Sequence, residues 1–399
     1  MNRYVALTVV FLIIFSESAS GHEARTQGFP SNFGQRAMDH VMALVRLGPR
    51  PAGSSAERDA AAYIRKRFNE MGLPAKIEPF EFETFVVSTA TVSVGTAKAT
   101  PSMIGFNPYQ GKLSLEGRPL LVRPDVGSDD LGRLQLTDGL VITADPAPFF
   151  ALMFGRPRAI IYLEPGDYES LTASPCSLAT LRVVGNAGKC VSANVVATVG
   201  STDPDAEEIV VSAHYDSYRQ SPGADDNGSG TAGVMTIAKA IMATGKKPEN
   251  TIIFALWTAE EEGLLGSRYY LKNLPFPVKN LKLNVNFDMI SRYISDNDPN
   301  KVTMTYTSSY PLFMDMTVSN LEKIGIDLLI DYQPSADPPG GTDHRSFVEA
   351  GVPIMRFKPG HRDEYHTPMD ESKTINWDIM EKIIKISFAN VWELANTNW

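Results

Sequence analysis

The spacing of apolar residues changes along the chain and separates it into regions of different character. Residues 38–45 and 60–71 place apolar side chains at helical spacing, and a short strand is expected over 75–82. Residues 86–189 are rich in Val, Thr, Gly and Pro, and their short apolar runs are separated by turn residues. This second pattern predicts an inserted β-rich domain.

From residue 193 onward, apolar strands alternate with amphipathic helices. Strands are predicted over 193–199, 208–213, 251–257, 281–287 and 352–357, and helices over 231–244, 264–271, 312–324 and 375–395. This alternation predicts an α/β fold, in which a mixed, mostly parallel twisted sheet has helices on both faces. We therefore expect one main domain, formed by 32–85 and 190–399, which the β-rich insert at 86–189 interrupts.

The N-terminus has the pattern of an export signal, and we assign 1–20 to a signal peptide. Arg3 precedes the apolar residues 5–15, and small residues follow. The apolar run is too short to span a bilayer comfortably, which takes about 20 residues, although an uncleaved anchor is the alternative. A secreted or periplasmic location is expected, with no stable membrane span in the mature chain. In that oxidising setting Cys176 and Cys190 are expected to form a disulfide rather than remain buried thiols.

The charge balance argues against nucleic acid as a partner. The 399 residues include 37 Lys and Arg against 46 Asp and Glu, which gives a formal net charge of -9. That field repels a phosphate backbone, and the sequence has no stripe of basic residues that offsets it.

Ionisable side chains follow one predicted strand after another in the C-terminal region. They are His214 and Asp216, Asp225 and Asp226, Glu260 and Glu261, Asp288, Asp343 and His344, and His366. Because functional residues of such sheets gather at the carboxyl ends of the strands, we expect these side chains on one rim. Crowded carboxylates need cations, and imidazole with carboxylate suits zinc. Three carboxylates and a bridging hydroxide balance two zinc ions, and metals about 3.5–4 Å apart form a common hydrolytic centre.

Each fragment of this set also fits a purely structural role. A lone His-x-Asp is commonly a solvated loop pair, and a run of Glu residues is commonly an exposed helix start. Asp225 fits a turn and helix N-cap, Glu262 a structural position, and Asp343 with His344 an orienting pair beside the metals. The order of the fragments and their positions after predicted strands favour the metal site.

Six motifs carry a resemblance to a known family. They are HYDS at 214–217, GADDNGSG at 223–230, AEEEGLLGS at 259–267, DM at 288–289, TDH at 342–344 and YHTP at 365–368. In content and order they resemble the di-zinc aminopeptidases, family twenty-eight of the metallopeptidases (clan MH), which includes bacterial leucine aminopeptidases. The similarity spans 35–83 and 190–395 and includes GPRPAGS at 48–54. Residues 86–189 resemble the protease-associated domain that many members carry at this point.

The resemblance implies a ligand set for two zinc ions. One zinc takes His214 and Asp288, the other takes Glu261 and His366, and Asp226 bridges both. Two Zn²⁺ are thus the expected cofactors, although cobalt or manganese suits the same ligands.

The resemblance also implies three catalytic roles. Glu260 is the general base that takes a proton from the metal-bridging water and passes it to the leaving amine. Asp216 accepts a hydrogen bond from the free ring N–H of His214 and fixes its tautomer. Tyr365 donates a hydrogen bond to the developing oxyanion.

The activity implied by the resemblance is that of a metallo-aminopeptidase, an exopeptidase that removes N-terminal residues from peptides or proteins. A carboxypeptidase and a glutaminyl cyclase-like transferase, which typically uses one zinc, are alternatives on the same scaffold. A non-catalytic binding protein is a third alternative, but such proteins lack metal ligands and this sequence has all five.

Overall fold

The computed structural model describes residues 33–106, 112–117, 119–122, 140–144, 159–173, 178–203, 205–358, 360, 362 and 364–399. The predicted signal peptide at 1–20 and Cys176 lie outside the described residues, so the signal sequence and the disulfide stay predictions. Cys190 is half-buried and lies against Gly53. Within the described part of the chain, no helix has the length and apolar character that a membrane crossing needs.

Two sheets organise the described residues. In chain order the strands are β1 (Lys76–Val94), β2 (Ala97–Ala99), β3 (Met103–Phe106), β4 (Lys112–Gly117), β5 (Leu120–Val122), β6 (Leu140–Thr143), β7 (Ala159–Tyr162), β8 (Ala179–Val199), β9 (Glu208–His214), β10 (Thr251–Trp257), β11 (Leu281–Phe287), β12 (Lys301–Thr307), β13 (Leu329–Ser335) and β14 (Ile354–Lys358). The larger sheet has the order β13-β12-β14-β11-β9-β10-β8-β1-β2, and β4 also pairs with β8. The smaller sheet has the order β3-β7-β6-β5.

Helices cover the larger sheet, and local sequence sets where some of them begin. They are α1 (Phe33–Val45), α2 (Ser55–Glu70), α3 (Pro165–Thr172), α4 (Gly230–Ala243), α5 (Leu265–Lys272), α6 (Leu312–Ile324), α7 (His344–Glu349) and α8 (Trp377–Leu394). Ser54 caps α2 by accepting a hydrogen bond from the N–H of Glu57 at 3.0 Å. Asn376 caps α8 in the same way, by accepting from the N–H of Ile379.

The middle of the larger sheet is parallel and buried on both faces. β11, β9 and β10 run side by side in parallel, and β14 pairs in parallel with β11. Because successive side chains of a strand point to opposite faces, Phe254 and Leu256 join the core shared with α1, α4 and α8, whereas Ala255 and Trp257 pack with side chains of α5 and α7. The predicted α/β fold, with a mixed sheet between helices, is confirmed.

β1 and β8 form a long antiparallel ribbon at one side of the larger sheet. Their ladder extends along both strands and passes without a break through the predicted boundaries of the insert at 86–189. Both strands are longer than the segments predicted over 75–82 and 193–199. The reason is that pairing between two strands far apart in sequence supplies hydrogen bonds along their whole length, and local patterns do not report it.

The far end of the ribbon carries a hydrophobic cluster of its own. It buries side chains of both sheets, including Val92, Ile142, Ile161 and Leu181, and packs against the buried face of α3. We refer to residues 86–189 as the proposed insert, because the division of the chain into domains stays a prediction.

Candidate metal centre

Three neighbouring strands deliver ionisable side chains to one rim of the larger sheet. β9 ends at His214, β11 is followed at once by Asp288, and β10 leads into the turn that carries Glu260 and Glu261. The last residues of the three strands lie level with one another in their ladders. The predicted strand-end residues therefore meet at the carboxyl edge of the parallel part of the sheet.

The structure brings the five predicted ligands together in two groups. In the first, Nε2 of His214 lies 3.3 Å from Oδ1 of Asp226 and 3.5 Å from Oδ1 of Asp288. In the second, Nε2 of His366 lies 3.1 Å from Oδ2 of Asp226 and 3.1 Å from Oε2 of Glu261. Asp226 therefore presents one carboxylate oxygen to each group, and the ligand atoms within each group lie within 4.8 Å of one another.

A tight turn holds Asp226 in place. The N–H groups of Asp225 and Asp226 donate to the two carboxylate oxygens of Asp370, at 2.8 and 3.0 Å. The turn passes so close to the end of β11 that a Cβ on Gly230 would overlap the carbonyl oxygen of Phe287, so only glycine fits there. No role was predicted for Asp370, although it lies two residues after the YHTP motif.

Asp225 has a different role from the predicted helix N-cap. Its carboxylate accepts hydrogen bonds from Nε of Arg292 at 3.2 Å and from the hydroxyl and the N–H of Ser291. Burial raises the pKa of Asp225, and the guanidinium of Arg292 opposes that shift. The prediction was wrong because the partner of Asp225 follows β11 and is distant in sequence, so the side chain ties the turn to that segment.

Asp216 positions the loop that follows β10. Its carboxylate oxygens accept from the N–H groups of Glu260 and Glu261, each at 3.3 Å. Nδ1 of His214 lies 3.2 Å from the main-chain oxygen of Asp216 and 3.5 Å from its Oδ1. The nearer acceptor for the His214 ring is therefore the carbonyl and not the expected carboxylate, because that carboxylate is turned toward the two loop N–H groups.

The crowding of buried carboxylates shifts the pKa of most groups at this rim. Burial raises the pKa of Glu261 to about 7 and the pKa of Glu260 well above its usual value. Burial alone would lower the pKa of both histidines, but the surrounding carboxylates outweigh it. They raise the pKa of His366 to about 10 and that of His214 well above its usual value. For Asp226, burial is outweighed by the two imidazoles, which lower its pKa. Unless cations are bound, protons must neutralise this cluster.

The donor set fits zinc. Among the described residues, Oε1 of Glu261 and Oδ1 of Asp288 are buried without a hydrogen-bond partner. Buried oxygens of this kind require a donor or a cation. Imidazole nitrogens and carboxylate oxygens are ligand types that zinc binds. The two groups are therefore able to hold two divalent ions that share Asp226.

Two tyrosine rings enclose the imidazole of His366. The ring centroid of Tyr218 lies 4.2 Å from that of His366 with an interplanar angle of 3°, and the centroid of Tyr365 lies 3.7 Å away at 22°. The φ of His366 is 60°, a value that is uncommon outside glycine. The two stacked rings therefore hold the side chain of a residue whose backbone conformation is unusual. Burial and the nearby carboxylates raise the pKa of Tyr365 well above 10, so its hydroxyl stays a neutral donor. Tyr218 was not predicted, because a single aromatic residue in a loop forms no pattern.

Arg50 is a third residue, after Asp370 and Tyr218, whose role the sequence did not reveal. Its guanidinium is fully buried and donates to the carbonyl oxygens of Tyr215 at 3.0 Å, Gly223 at 3.1 Å and Pro222. Burial lowers its pKa to about 10, so the group is still charged at neutral pH. Arg50 therefore fixes the loop between two of the ligand motifs and places a positive charge behind the centre.

Asp343 and His344 lie behind the ligands, at the start of α7. Nη1 of Arg356 donates to Nδ1 of His344 at 3.2 Å. Burial raises the pKa of Asp343 to about 7 and lowers the pKa of His344 to about 3. Neither residue belongs to the two ligand groups found among the described residues, and neither was predicted as a ligand.

Comparison with known proteins places this site in a family. Residues 194–391 match the model of Peptidase family M28. Aminopeptidase YwaD of Bacillus subtilis (strain 168) is 27% identical over 383 residues, which cover 87% of this chain and 81% of that protein. Leucine aminopeptidase 2 of Arthroderma otae is 36% identical over 192 residues, which cover 47% of this chain and 37% of that protein. The chain thus spans little more than a third of the length of this second relative.

A solved structure shares the fold. BSAP, a zinc aminopeptidase from Bacillus subtilis, has a TM-score of 0.66 at 22% identity, and the match covers 92% of this chain and 96% of that chain. The family model begins within β8 and ends within α8, so it includes the strands and loops that carry the five predicted ligands. The resemblance drawn from the motifs is confirmed for residues 194–391, which match peptidase family M28.

Proposed function

We propose that the protein is a zinc-dependent aminopeptidase, which hydrolyses the first peptide bond of its substrate. His214 and Asp288 would hold one zinc ion, Glu261 and His366 would hold the other, and Asp226 would contribute to both sites. The observation that carries the proposal is the position of Asp226, whose two oxygens face the two imidazoles at 3.3 and 3.1 Å. A carboxylate shared in this way suits a two-metal hydrolytic centre. The aminopeptidase names of the relatives support the choice of reaction.

Glu260 is the proposed proton carrier. Bound zinc supplies Lewis-acid chemistry, which polarises the substrate carbonyl and makes water a better nucleophile at neutral pH. Glu260 belongs to neither ligand group, and the charges of His214, Glu261 and Asp288 act on its carboxylate, which supports its assignment as the group that takes a proton from the attacking water. Glu260 then passes that proton to the leaving amine. Asp216 keeps Glu260 in position through the loop N–H groups.

Tyr365 supplies a second protein group beside the reacting carbonyl. Its ring is fixed by stacking on His366, and its hydroxyl is neutral. A neutral donor held in a fixed direction stabilises the negative charge that develops on the carbonyl oxygen.

The Glu260→Ala variant tests this assignment. Loss of the general base should lower kcat by about 10²–10⁴-fold, whereas zinc content should stay near two per chain because no ligand is removed. Glu81→Ala is the matched control, since Glu81 is an exposed carboxylate paired with Lys189 on the ribbon. Activity that survives in Glu260→Ala would contradict the proposed role.

A panel of unblocked, N-blocked and C-blocked dipeptides, with a chelator as control, tests the reaction class. Cleavage that requires a free N-terminal amine supports an aminopeptidase. Cleavage that requires a free C-terminal carboxylate would identify a carboxypeptidase. A protein that holds one zinc and cyclises N-terminal glutamine would instead be a glutaminyl cyclase-like transferase.

We also propose that the chain is exported and loses residues 1–20. N-terminal sequencing of protein recovered outside the cytoplasm should begin near residue 21, and non-reducing peptide mapping should join Cys176 to Cys190. Recovery of the intact N-terminus from a membrane fraction would favour an uncleaved anchor.

A further inference from the structure

A cleft of 700 Å³ lies between the proposed insert and the loops around the metal centre. Thr89 and Thr91 of β1 line one side, and Pro51 and Arg219 line the other. Ligand pockets in proteins typically measure about 300–1,000 Å³. The cleft therefore has the volume of a binding site for a molecule with several groups, and it is larger than one amino-acid side chain requires.

The cleft adjoins the metal centre. Four of its lining residues, Pro51, Ala52, Arg219 and Glu262, also line a small cavity whose wall includes Tyr218 and Glu261. Glu261 is a proposed metal ligand and Glu262 is the next residue in the chain. The shared wall therefore places the cleft beside the loop that carries Glu261.

The ribbon presents one face to the cleft and the other to the core of the proposed insert. Val92 and Val94 are buried in that core, whereas Thr89 and Thr91 are exposed. This alternation is what a strand with one buried face produces. The cleft wall is therefore a surface supported by packed side chains behind it and not an isolated loop.

Among the lining residues that the structure describes, charge is confined to one ion pair. Hydroxyl groups come from one serine and four threonines: Ser54, Thr84, Thr89, Thr91 and Thr100. Among the described lining residues the charged side chains are Arg219 and Glu262, which lie 3.6 Å apart, and Thr84 donates to Glu262 at 3.1 Å. Hydroxyls bind main-chain N–H and C=O groups equally well, and a paired charge repels neither end of a peptide. This chemistry suits an uncharged stretch of polypeptide.

We infer that the cleft binds the residues of an oligopeptide that follow the scissile bond. The inference rests on the proposed aminopeptidase function, because an N-terminal residue bound at the metals leaves the rest of the peptide to lead away from them. The preferred substrates are then peptides of several residues with uncharged side chains, in preference to dipeptides. The proposed insert acts as one wall of the substrate site.

A length series with the wild-type chain gives the first test. For Leu-Ala extended by one to four further alanines, kcat/KM should rise by about tenfold and then level off, because contacts remote from the reacting bond contribute to transition-state binding. Replacement of the third residue by Asp or Lys should reduce that gain. A kcat/KM that does not change with length overturns the cleft assignment but leaves the aminopeptidase proposal intact.

Variants of the cleft wall give the second test. Thr89→Trp and Thr91→Trp fill the cleft from its exposed side, so the ratio of kcat/KM for the pentapeptide to that for the dipeptide should fall about tenfold. Val191→Trp is the matched control, because Val191 is an exposed β8 residue that points away from Cys190, which lines the cleft. An unchanged ratio in both threonine variants overturns the inference, and because a ratio is measured, partial misfolding does not affect it.

A binding measurement separates this inference from the proposed function. Calorimetry of the pentapeptide with the zinc-loaded Glu260→Ala chain should show about tenfold weaker binding when Thr91→Trp is added. If the wild-type chain hydrolyses none of the peptides, the aminopeptidase proposal fails while this experiment still decides whether the cleft binds peptide. Equal affinity with and without Thr91→Trp overturns the cleft assignment.

Discussion

The two halves of the metal centre are built from different kinds of structure. His214 and Asp288 come from the ends of adjacent parallel strands, and the His214 side chain is 1% exposed. Glu261 and His366 come from loops, and the His366 side chain is 15% exposed. The first half takes its geometry from the sheet, whereas the second depends on stacked rings and loop hydrogen bonds. Metal affinity should therefore be easier to change in the second half without loss of the fold.

Removing the carboxylate of Asp226, which joins the two halves, should have the largest effect on zinc content and activity. In Asp226→Ala both halves lose a ligand, so zinc content should fall well below two per chain and kcat/KM should drop by about 10³-fold or more. Elemental analysis and steady-state kinetics measure the two effects. Asp327→Ala, at an exposed carboxylate, is the control. A variant that keeps two zinc ions would show that Asp226 is not shared.

The next largest effect should be the loss of stability on replacing Arg50, the buried cation behind the loop that follows β9. Arg50→Met leaves several buried carbonyl oxygens without a donor, so the free energy of unfolding should fall by about 2–4 kcal/mol in urea titrations. Arg58→Met removes an arginine that donates to one carbonyl at the surface and should cost less than about 0.5 kcal/mol. Equal losses in the two variants would contradict the role given to Arg50.

Glu261 and His366 of the second half should make the stability of the metal-free protein depend on pH. The pKa of Glu261 is raised from 4.5 to about 7 and that of His366 from 6.5 to about 10, so the folded state binds more protons than the unfolded state across these intervals. Stability of chelator-treated protein should therefore be highest at the acid end and fall as pH rises from about 5 to 9. Added zinc should remove most of this fall, because it replaces the protons. A metal-free protein with a higher Tm at pH 9 than at pH 6 would rule the explanation out.

The smallest effect should be the loss of zinc affinity on replacing Tyr218, whose ring stacks on His366. Tyr218→Leu removes one side of the enclosure without removing a ligand, so affinity for one of the two zinc ions should fall by about tenfold while the other is unchanged. Competition with a chromophoric chelator resolves the two affinities. Tyr310→Leu, which disrupts a stack with Phe313 of α6, should alter neither. Equal weakening of both ions would remove the distinction between the halves.

The strand pattern predicted that ionisable residues gather at one rim, and the resemblance to a known family selected the five proposed ligands among them. The apolar runs before His214 and Asp288 mark buried strands, and parallel strands end at one rim. No comparable rule covers the residues that position the ligands. Arg50 contacts a carbonyl 165 residues away, and Asp370 holds a turn 144 residues away. Such contacts depend on the folded chain, so neither residue type nor spacing reveals them.

The same limit explains why the strands of the ribbon were predicted too short. Helix and strand periods report which face of an element is buried, but they do not report how far a strand continues beside its partner. The segment of β1 beyond the predicted end at residue 82 lies next to β8, and that neighbour determines its conformation. The buried strands β9 and β10 were predicted almost to the residue, since their apolar runs coincide with their length.

The continuity of the ribbon has a mechanical consequence. Because β1 and β8 pass from the larger sheet into the proposed insert as one hydrogen-bonded ladder, no flexible tether separates the two parts. The insert would then move by elastic bending of the two paired strands and not by rotation about a flexible hinge. The ladder shifts register between Val87 and Thr89, and such irregularities are where strands bend most easily. Widening of the cleft by a bulky peptide would therefore bend the ribbon most at this shift.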